Sequence, residues 1–403
     1  MGRGPVTTEA TVARDRTPVS IKTVALCFLV ASLEGYDIQS FGVTAPRLVA
    51  EFGLSATGVG FAGGAAMIGL MVGAWLGGSL AERFGTKAVL IAATVAFGAC
   101  SIATALASSL EQLMLFRLLT GIGFGGVMPN LLSVATRLRP AGDHAGIATL
   151  IFCGMPVGGA ILAGLAGLLG TPIPWRTLFA IGGILPLLLA PVLMLALPHF
   201  DHPPAVERQG LNEVLFGDGR AVKTFALWIA LCLALLLLYL LLNWLPLLVI
   251  AKGLPEVAGS QAAMVFNIGG IAGALVLGQW ADRRGYTIPL LSAITVMVAG
   301  LASMLVGSHL PELLAASALI GAGVVGMQYL LYSAAPTPYP AARSIAAAGA
   351  GIGIGRLGSI AGPVLAGIGR QAGLSVSALF SLLIPVAIVV ALSGAFSLSR
   401  RAD

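Results

Sequence analysis

The sequence predicts an all-α polytopic membrane protein, on the basis of its composition and its long apolar runs. Of its 403 residues, 58% are apolar and 9% are charged, whereas a soluble domain carries about 25% charged residues. A chain so poor in charge cannot cover a surface that faces water. The apolar runs are about 20 residues long and lack period-two alternation, which favours membrane-spanning helices and excludes the short alternating strands of a membrane barrel.

Twelve runs are long enough to cross a hydrocarbon core of about 30 Å. We place them at residues 20–45, 58–81, 88–108, 111–135, 144–170, 175–197, 223–250, 258–281, 287–308, 312–335, 344–369 and 374–398. The connections are short except for a polar stretch at 198–222. We therefore expect the following division: an N-terminal tail at 1–19, a six-helix bundle at 20–197, a linker at 198–222, a second six-helix bundle at 223–398 and a C-terminal tail at 399–403.

The distribution of lysine and arginine predicts the orientation, because cytoplasmic loops are enriched in these residues. With the N-terminus inside, 16 of the 22 basic residues lie on the cytoplasmic side, four lie outside, and Arg117 and Arg356 lie within spans. We expect both termini in the cytoplasm, in a bacterial-type inner membrane. The same distribution explains the net charge of +6 without a nucleic-acid partner.

Other patterns that suggest a bound group fail in their context. The segment from Gly121 to Gly126 matches GxGxxG, but no strand precedes it, so a dinucleotide site is excluded. His199, Asp201 and His202 are too few and too loosely arranged for a metal site. The four cysteines lie inside apolar runs, and no Walker loop is present. We expect no cofactor, no metal and no enzymatic activity.

One local pattern occurs in both halves. Residues 78–87 read GSLAERFGTK at the end of the second span, and residues 278–285 read GQWADRRG at the end of the eighth. The offset is 200 residues. This repeat predicts two pseudo-symmetric six-helix halves, and parallel repeats of this kind place a substrate site near the midplane between the halves.

These loops resemble the loop motif of the major facilitator superfamily, and RLLTGIG at 117–123 resembles its second motif. Within the superfamily, the chain most resembles the aromatic acid:proton symporters. Four stretches carry this resemblance: 34–37 with 45–46, 152–158, 243–246, and 339–343 leading to 353–358. The chain departs from the pattern at Glu34 and Glu82, where aspartate is usual, and at Thr86, where a basic residue is usual.

The resemblance covers nearly the whole chain and implies the major facilitator fold. It also implies a secondary active transporter that takes up small organic anions with protons by alternating access. The anions would be aromatic carboxylates such as hydroxybenzoates, and the protein would work as a monomer in the bilayer. A drug:proton antiporter of the same fold is the alternative, because residues 154–159 are reminiscent of an antiporter motif except at Met155. A transport-like receptor or membrane enzyme is a second alternative.

Charged side chains inside a membrane are costly and mark candidate functional sites. Glu34 and Asp37 are spaced i, i+3 and are expected on one helix face. Burial and mutual repulsion disfavour two ionised carboxylates there, so we expect this pair to carry the coupled proton. Arg117 resembles the span-four arginine that the superfamily links to proton coupling. The alternative is a permanent structural ion pair between Arg117 and one of the carboxylates.

Arg356 is the expected anchor for the substrate carboxylate, because a guanidinium stays charged and binds carboxylates bidentately. The alternative is a salt bridge between the halves. Further candidates for contact with the substrate are polar or aromatic residues in or beside the spans: Tyr36, Asn243, Trp244, Gln328, Tyr329, Tyr332 and Arg343. Helix packing and interhelical hydrogen bonds are the alternative for each.

The repeated loops have a different expected role. Glu82 with Arg83, and Asp282 with Arg283, place an acid and a base at a helix end. Such a pair can clasp a neighbouring helix. We expect these four residues to act as a gate that holds the outward-facing state.

Overall fold

The computed structural model describes residues 20–138, 150–168, 173–198, 210–340 and 344–399. These residues form twelve long helices, one short helix at Leu211–Phe216, and no strand. The first six long helices are α1 (Ile21–Phe52), α2 (Ala56–Phe84), α3 (Thr86–Ala105), α4 (Leu110–Leu138), α5 (Gly154–Leu168) and α6 (Trp175–Ala196). The other six are α7 (Ala221–Ile250), α8 (Glu256–Arg284), α9 (Thr287–Val306), α10 (Leu310–Ala334), α11 (Ser344–Gln371) and α12 (Val376–Leu398).

Eleven of these helices are long and apolar enough by themselves to cross a membrane. The twelfth is α1, which carries the buried acids Glu34 and Asp37. The prediction of an all-α, twelve-helix membrane fold is confirmed. The helix α1 is longer than the span predicted at 20–45, because it continues through Pro46 to Phe52. Neighbouring helices that pack around a membrane helix allow it to continue through a proline.

Local sequence signals set several helix ends. Ser20, Ser55 and Ser375 cap the starts of α1, α2 and α12 by accepting a hydrogen bond from a main-chain N–H three residues later. Gly85 and Gly285 end α2 and α8 with φ of 85° and 76°, a region that residues with a Cβ rarely adopt. The final glycine of each repeated loop is therefore needed for the turn.

The repeat seen in the loops extends through the helix packing. The same four close approaches between a glycine and a facing main chain occur in each half, and all positions are offset by 200 residues. The pairs are Gly69–Leu118 and Gly269–Ala318, Gly73–Ile122 and Gly273–Ala322, Gly121–Ala66 and Gly321–Phe266, and Gly158–Ser32 and Gly358–Cys232. Small residues let helices in lipid approach closely. The glycines that looked like a nucleotide motif at 121–126 therefore serve to pack α4 against α2 and α3.

Each half packs mainly within itself, and the halves meet through α2 with α11, α5 with α8, and α1 with α7. We call the side where α1 begins and α12 ends the terminal face, and the other side the opposite face. Close glycine contacts between the halves lie toward the opposite face. A methyl group added at Gly60 would lie 2.7 Å from Pro363 O, and one added at Gly42 would lie 2.1 Å from Leu242 O.

We expect Gly69→Ala and Gly269→Ala to destabilise their respective halves by similar amounts. The added Cβ would lie 2.0 Å from Leu118 O or 2.2 Å from Ala318 O, and overpacking of this kind costs about 1–3 kcal/mol. Thermal unfolding in detergent measures the effect. The matched controls are Gly78→Ala and Gly278→Ala, whose added Cβ meets nothing within 4 Å. Equal stability of all four variants would contradict the packing role.

Candidate functional site

A cavity of about 340 Å³ lies between the two halves. Its walls come from α1, α2, α4 and α5 of the first half, and from α7, α8, α10 and α11 of the second. Wall residues such as Leu132, Tyr332 and Gly349 lie near the terminal-face ends of their helices. The wall is mostly apolar, and its polar side chains are Gln39, Tyr239, Asn267, Gln328, Tyr329, Tyr332 and Arg356.

Two polar contacts join the halves on the side of the cavity that faces the opposite face. Gln39 Nε2 donates to Asn267 Oδ1 at 3.0 Å, and Asn267 Nδ2 donates to Gln39 Oε1 at 2.7 Å. This reciprocal amide pair links α1 with α8 and is buried. Farther out, Arg47 Nε forms an ion pair with Glu256 Oε1 at 2.5 Å, and Arg47 also donates to Ile173 O. These contacts close the cavity toward the opposite face.

Arg356 is the cation of the cavity wall. Its side chain is 8% exposed, and its Nη1 donates to the Tyr239 hydroxyl at 3.2 Å. Tyr332 and Glu34 lie within electrostatic reach. In the described part of the chain, Arg356 forms no ion pair at hydrogen-bond distance. The guanidinium therefore keeps donors that a ligand can use.

Glu34 is fully buried, and neither of its carboxylate oxygens has a hydrogen-bond partner among the described residues. Its closest electrostatic partner of opposite charge is Arg356, on the other half of the molecule. A buried carboxylate without a hydrogen bond is unusual, since buried polar groups normally have partners. Glu34 is therefore the side chain in this region whose charge is least well compensated.

Asp37 is in a different environment. Its Oδ1 lies 2.5 Å from Arg117 Nη1, and this pair is 0% and 1% exposed. The Arg117 guanidinium also lies 5.5 Å from the centre of the Phe179 ring. Ser101 lies beside the Asp37 carboxylate, but its hydroxyl donates to Phe179 O. The Asp37–Arg117 pair thus lies inside the first half, outside the cavity wall.

Glu34 and Asp37 therefore face different neighbours, and the expected role of the pair in proton coupling stays a prediction. Positions i and i+3 on a helix differ by about 60° around the axis, and α1 is packed on several sides by other helices. Glu34 is directed to Arg356 of α11, whereas Asp37 is directed to Arg117 of α4. Arg117 forms an ion pair with Asp37 in this conformation, and its expected role in proton coupling stays a prediction.

The expected substrate residues divide into two groups. Gln328, Tyr329, Tyr332 and Arg356 line the cavity, whereas Tyr36, Asn243 and Trp244 do not in this conformation. Each member of the second group donates to a main-chain carbonyl: Tyr36 to Leu178 O at 3.2 Å, Asn243 to Tyr239 O at 2.8 Å and Trp244 to Pro363 O at 3.0 Å. The bonds of Tyr36 and Trp244 join neighbouring helices, the bond of Asn243 lies within α7, and all three direct polar atoms away from the cavity. Arg343 lies outside the described residues.

Three cavity residues were not expected from the sequence. Gln39 and Asn267 form the amide pair, and Tyr239 contacts Arg356. Tyr239 interrupts the leucine run at 235–242, and an isolated polar side chain in so apolar a run was the available signal. Gln39 lies five residues after Glu34 on the same helix, and a search for uncharged amides beside the embedded acids would have found it.

The four residues of the repeated loops lie at the terminal-face ends of α2 and α8. Glu82, Arg83, Asp282 and Arg283 are all exposed. In the described ranges none of them forms an ion pair, and Arg83 lies 5.3 Å from the centre of the adjacent Phe84 ring. The expected clasp therefore has no ion pair among the described residues in this conformation.

Two repeated six-helix halves that enclose a partly polar cavity within a membrane fold define a membrane transport protein. The chain belongs to the Major Facilitator Superfamily, whose model matches residues 27–363. The comparisons also identify transporters, and not enzymes, as its relatives.

This chain is similar to two transporters of known name and to one solved structure. The 3-(3-hydroxy-phenyl)propionate transporter of Escherichia coli K12 is 34% identical over 96% of this chain and 97% of its own length. The 4-hydroxybenzoate transporter PcaK of Pseudomonas putida is 32% identical over 85% of this chain and 84% of its own. A crystal structure of a D-xylose-proton symporter has a TM-score of 0.75 at 16% identity, and the match covers 92% of this chain and 96% of that one; it supports the fold alone.

We expect Arg117→Met to lower the free energy of unfolding by about 3–5 kcal/mol, because it leaves the buried Asp37 carboxylate without its counter-charge. The double variant Asp37→Asn with Arg117→Met should recover most of this loss. Chemical or thermal unfolding in detergent measures both. Arg284→Met is the control, since Arg284 is exposed, and a change within about 0.5 kcal/mol is expected there. An Arg117→Met variant as stable as this control would refute the pairing.

Proposed function

We propose that this transporter takes up aromatic carboxylates together with protons. The observation that carries the proposal is the pair formed by Arg356, which lies in the cavity wall without a bonded carboxylate, and Glu34, which is buried without a hydrogen bond. The Arg356 guanidinium can thus balance the negative charge of either of two carboxylates, that of the substrate or that of Glu34. The names of the relatives, which are transporters of aromatic acids, support the same substrate class.

The cavity wall suits an aromatic acid. Arg356 can grip the carboxylate through two parallel hydrogen bonds, and apolar side chains such as Leu235 and Ile352 surround the space where the ring would lie. Tyr239 and Tyr332, which lie next to the guanidinium, offer ring faces for stacking. A cavity of about 340 Å³ is in the range of pockets for small organic ligands.

Proton coupling follows from competition for the guanidinium. When the cavity is empty, an ionised Glu34 and Arg356 balance each other electrostatically. When a substrate carboxylate binds Arg356, Glu34 loses this compensation, and in a buried site the neutral acid is then favoured. Substrate and proton therefore bind together. Asp37 and Arg117 already compensate each other inside the first half, so we assign the transported proton first to Glu34 and give the Asp37–Arg117 pair a supporting role.

Alternating access would turn the cavity between the two sides of the membrane. The excess of lysine and arginine assigns the terminal face to the cytoplasm, so the cavity described here would be inward-facing. The amide pair Gln39–Asn267 and the ion pair Arg47–Glu256 would close the outside. In the outward-facing state these contacts would break, and the four exposed residues at Glu82–Arg83 and Asp282–Arg283 would form their clasp.

Uptake into liposomes that contain the purified protein tests the coupling. With an inward proton gradient, 4-hydroxybenzoate should accumulate, the external medium should become more alkaline, and a protonophore should abolish both effects. Glu34→Gln should abolish accumulation while exchange of labelled for unlabelled substrate continues, because its side chain cannot release a proton. Glu111→Gln, on the exposed first turn of α4, is the control.

Acidification of the medium on addition of substrate would indicate the antiporter instead. Accumulation by Glu34→Gln at the wild-type level would show that another group carries the proton.

Arg356→Lys should raise the apparent KM for 4-hydroxybenzoate about tenfold, because an ammonium cannot replace the two parallel bonds, and the loss of one charge-assisted hydrogen bond costs about 1.5 kcal/mol. Initial rates of uptake at several substrate concentrations measure the change. Arg370→Lys is the matched control, since it lies on the same helix but bonds to Leu374 O outside the cavity. Equal KM values for both variants would remove Arg356 from the substrate site.

A further inference from the structure

We propose that Gln328 makes this site selective for aromatic acids that carry a ring hydroxyl. The inference rests on the proposed function and deepens it, since it identifies the side chain that would recognise the hydroxyl group on the substrate ring. Gln328 lies on α10 in the cavity wall and is 4% exposed.

The observation is an amide without partners. Both Nε2 and Oε1 of Gln328 are buried and lack a hydrogen bond among the described residues. The other buried carboxamides of the described chain all have partners: Gln39, Asn130, Asn243 and Asn267. A buried amide with no bond on either atom is destabilising, and an unsatisfied polar group in a native structure calls for an explanation. A ligand group in the adjoining cavity supplies one.

The chemistry of the amide identifies that group. A carboxamide offers a donor and an acceptor side by side. A hydroxyl can accept from the first and donate to the second, whereas a carboxylate can only accept. The substrate carboxylate also has a better partner in Arg356. The remaining match for Gln328 is therefore a hydroxyl on the ring.

Arg356 and Gln328 lie close enough together for one small molecule to contact both. Gln328 and Tyr332 lie one turn apart on α10, about 6 Å along the helix axis, and Tyr332 lies close to Arg356. An acid whose carboxylate meets Arg356 therefore extends its ring toward Gln328. The neighbouring Tyr329 hydroxyl already donates to Phe152 O at 2.6 Å, whereas both polar atoms of the Gln328 amide lack a partner among the described residues.

A site built to bond a hydroxyl rejects the analogue that lacks it, because the polar group of the site is then left unpaired. We expect the wild-type protein to bind 4-hydroxybenzoate about tenfold more tightly than benzoate, the effect of one hydrogen bond in a buried site. Methionine has a similar length and no hydrogen-bonding amide. Gln328→Met should bring the ratio of the two affinities close to one, mainly by weakening the hydroxylated acid, while benzoate binds as before.

The test measures binding of both acids to detergent-solubilised protein by calorimetry, and their uptake in liposomes. Gln112→Met, an exposed glutamine at the other end of the molecule, controls for the substitution itself and should keep the wild-type ratio. A wild-type ratio near one overturns the inference without any variant, which covers the case in which Gln328→Met fails to fold. Equal weakening of both acids in Gln328→Met also overturns it, since that is the result of a structural role.

These outcomes are separable from failure of the proposed function. Neither acid being bound or transported by the wild-type protein would overturn both ideas. Transport of both acids with no dependence of the ratio on Gln328 would overturn the selectivity alone.

Discussion

A guanidinium held inside an apolar bundle must be balanced by negative charge, because a lone ion in such surroundings is very costly. In the first half of this protein the balance is local: Arg117 and Asp37 form a buried pair within one bundle. In the second half the charge of Arg356 is not balanced by an acid of the same half. Arg356 has a tyrosine hydroxyl as its bonded partner, and the nearest opposing charge belongs to Glu34 on the other half. The cavity, the proposed substrate and the proposed proton site all follow from this incomplete compensation.

The contrast between the halves is sharper because their frameworks are so alike. The same glycine contacts recur with an offset of 200 residues, so each half is held together by the same close backbone packing between equivalent helices. Tightly packed interiors resist continuous deformation. Each half is therefore suited to move as a unit, and the weaker links lie between the halves. The two halves share a framework but differ in where they carry a buried arginine. Arg117 lies in the first half and Arg356 in the second, at positions that the 200-residue offset does not relate.

The sequence was sufficient for the helices and for part of the site. Long apolar runs predicted the elements, and a charge or amide in an apolar run predicted Arg356 and Gln328 as substrate-binding residues. It was insufficient where the direction of a side chain around its helix axis decides the outcome. Residues at similar depth, such as Tyr36 and Gln39 on α1, face different neighbours, and α7 is apolar on all sides, so no stripe indicated that Tyr239 rather than Asn243 faces the cavity.

Two contacts of different chemistry close the cavity on the opposite face, a charged pair outside and an uncharged amide pair inside. The outer ion pair of Arg47 with Glu256 is partly accessible, so dissolved ions weaken it. The inner pair of Gln39 with Asn267 has no net charge, no ionisable atom and almost no access to water. Its strength is therefore indifferent to the acidity and salinity of the bathing solution. The amide pair therefore joins the halves equally well at low or high salt and at low or high pH. Any response to pH is left to Glu34, the proposed proton site deeper in the molecule.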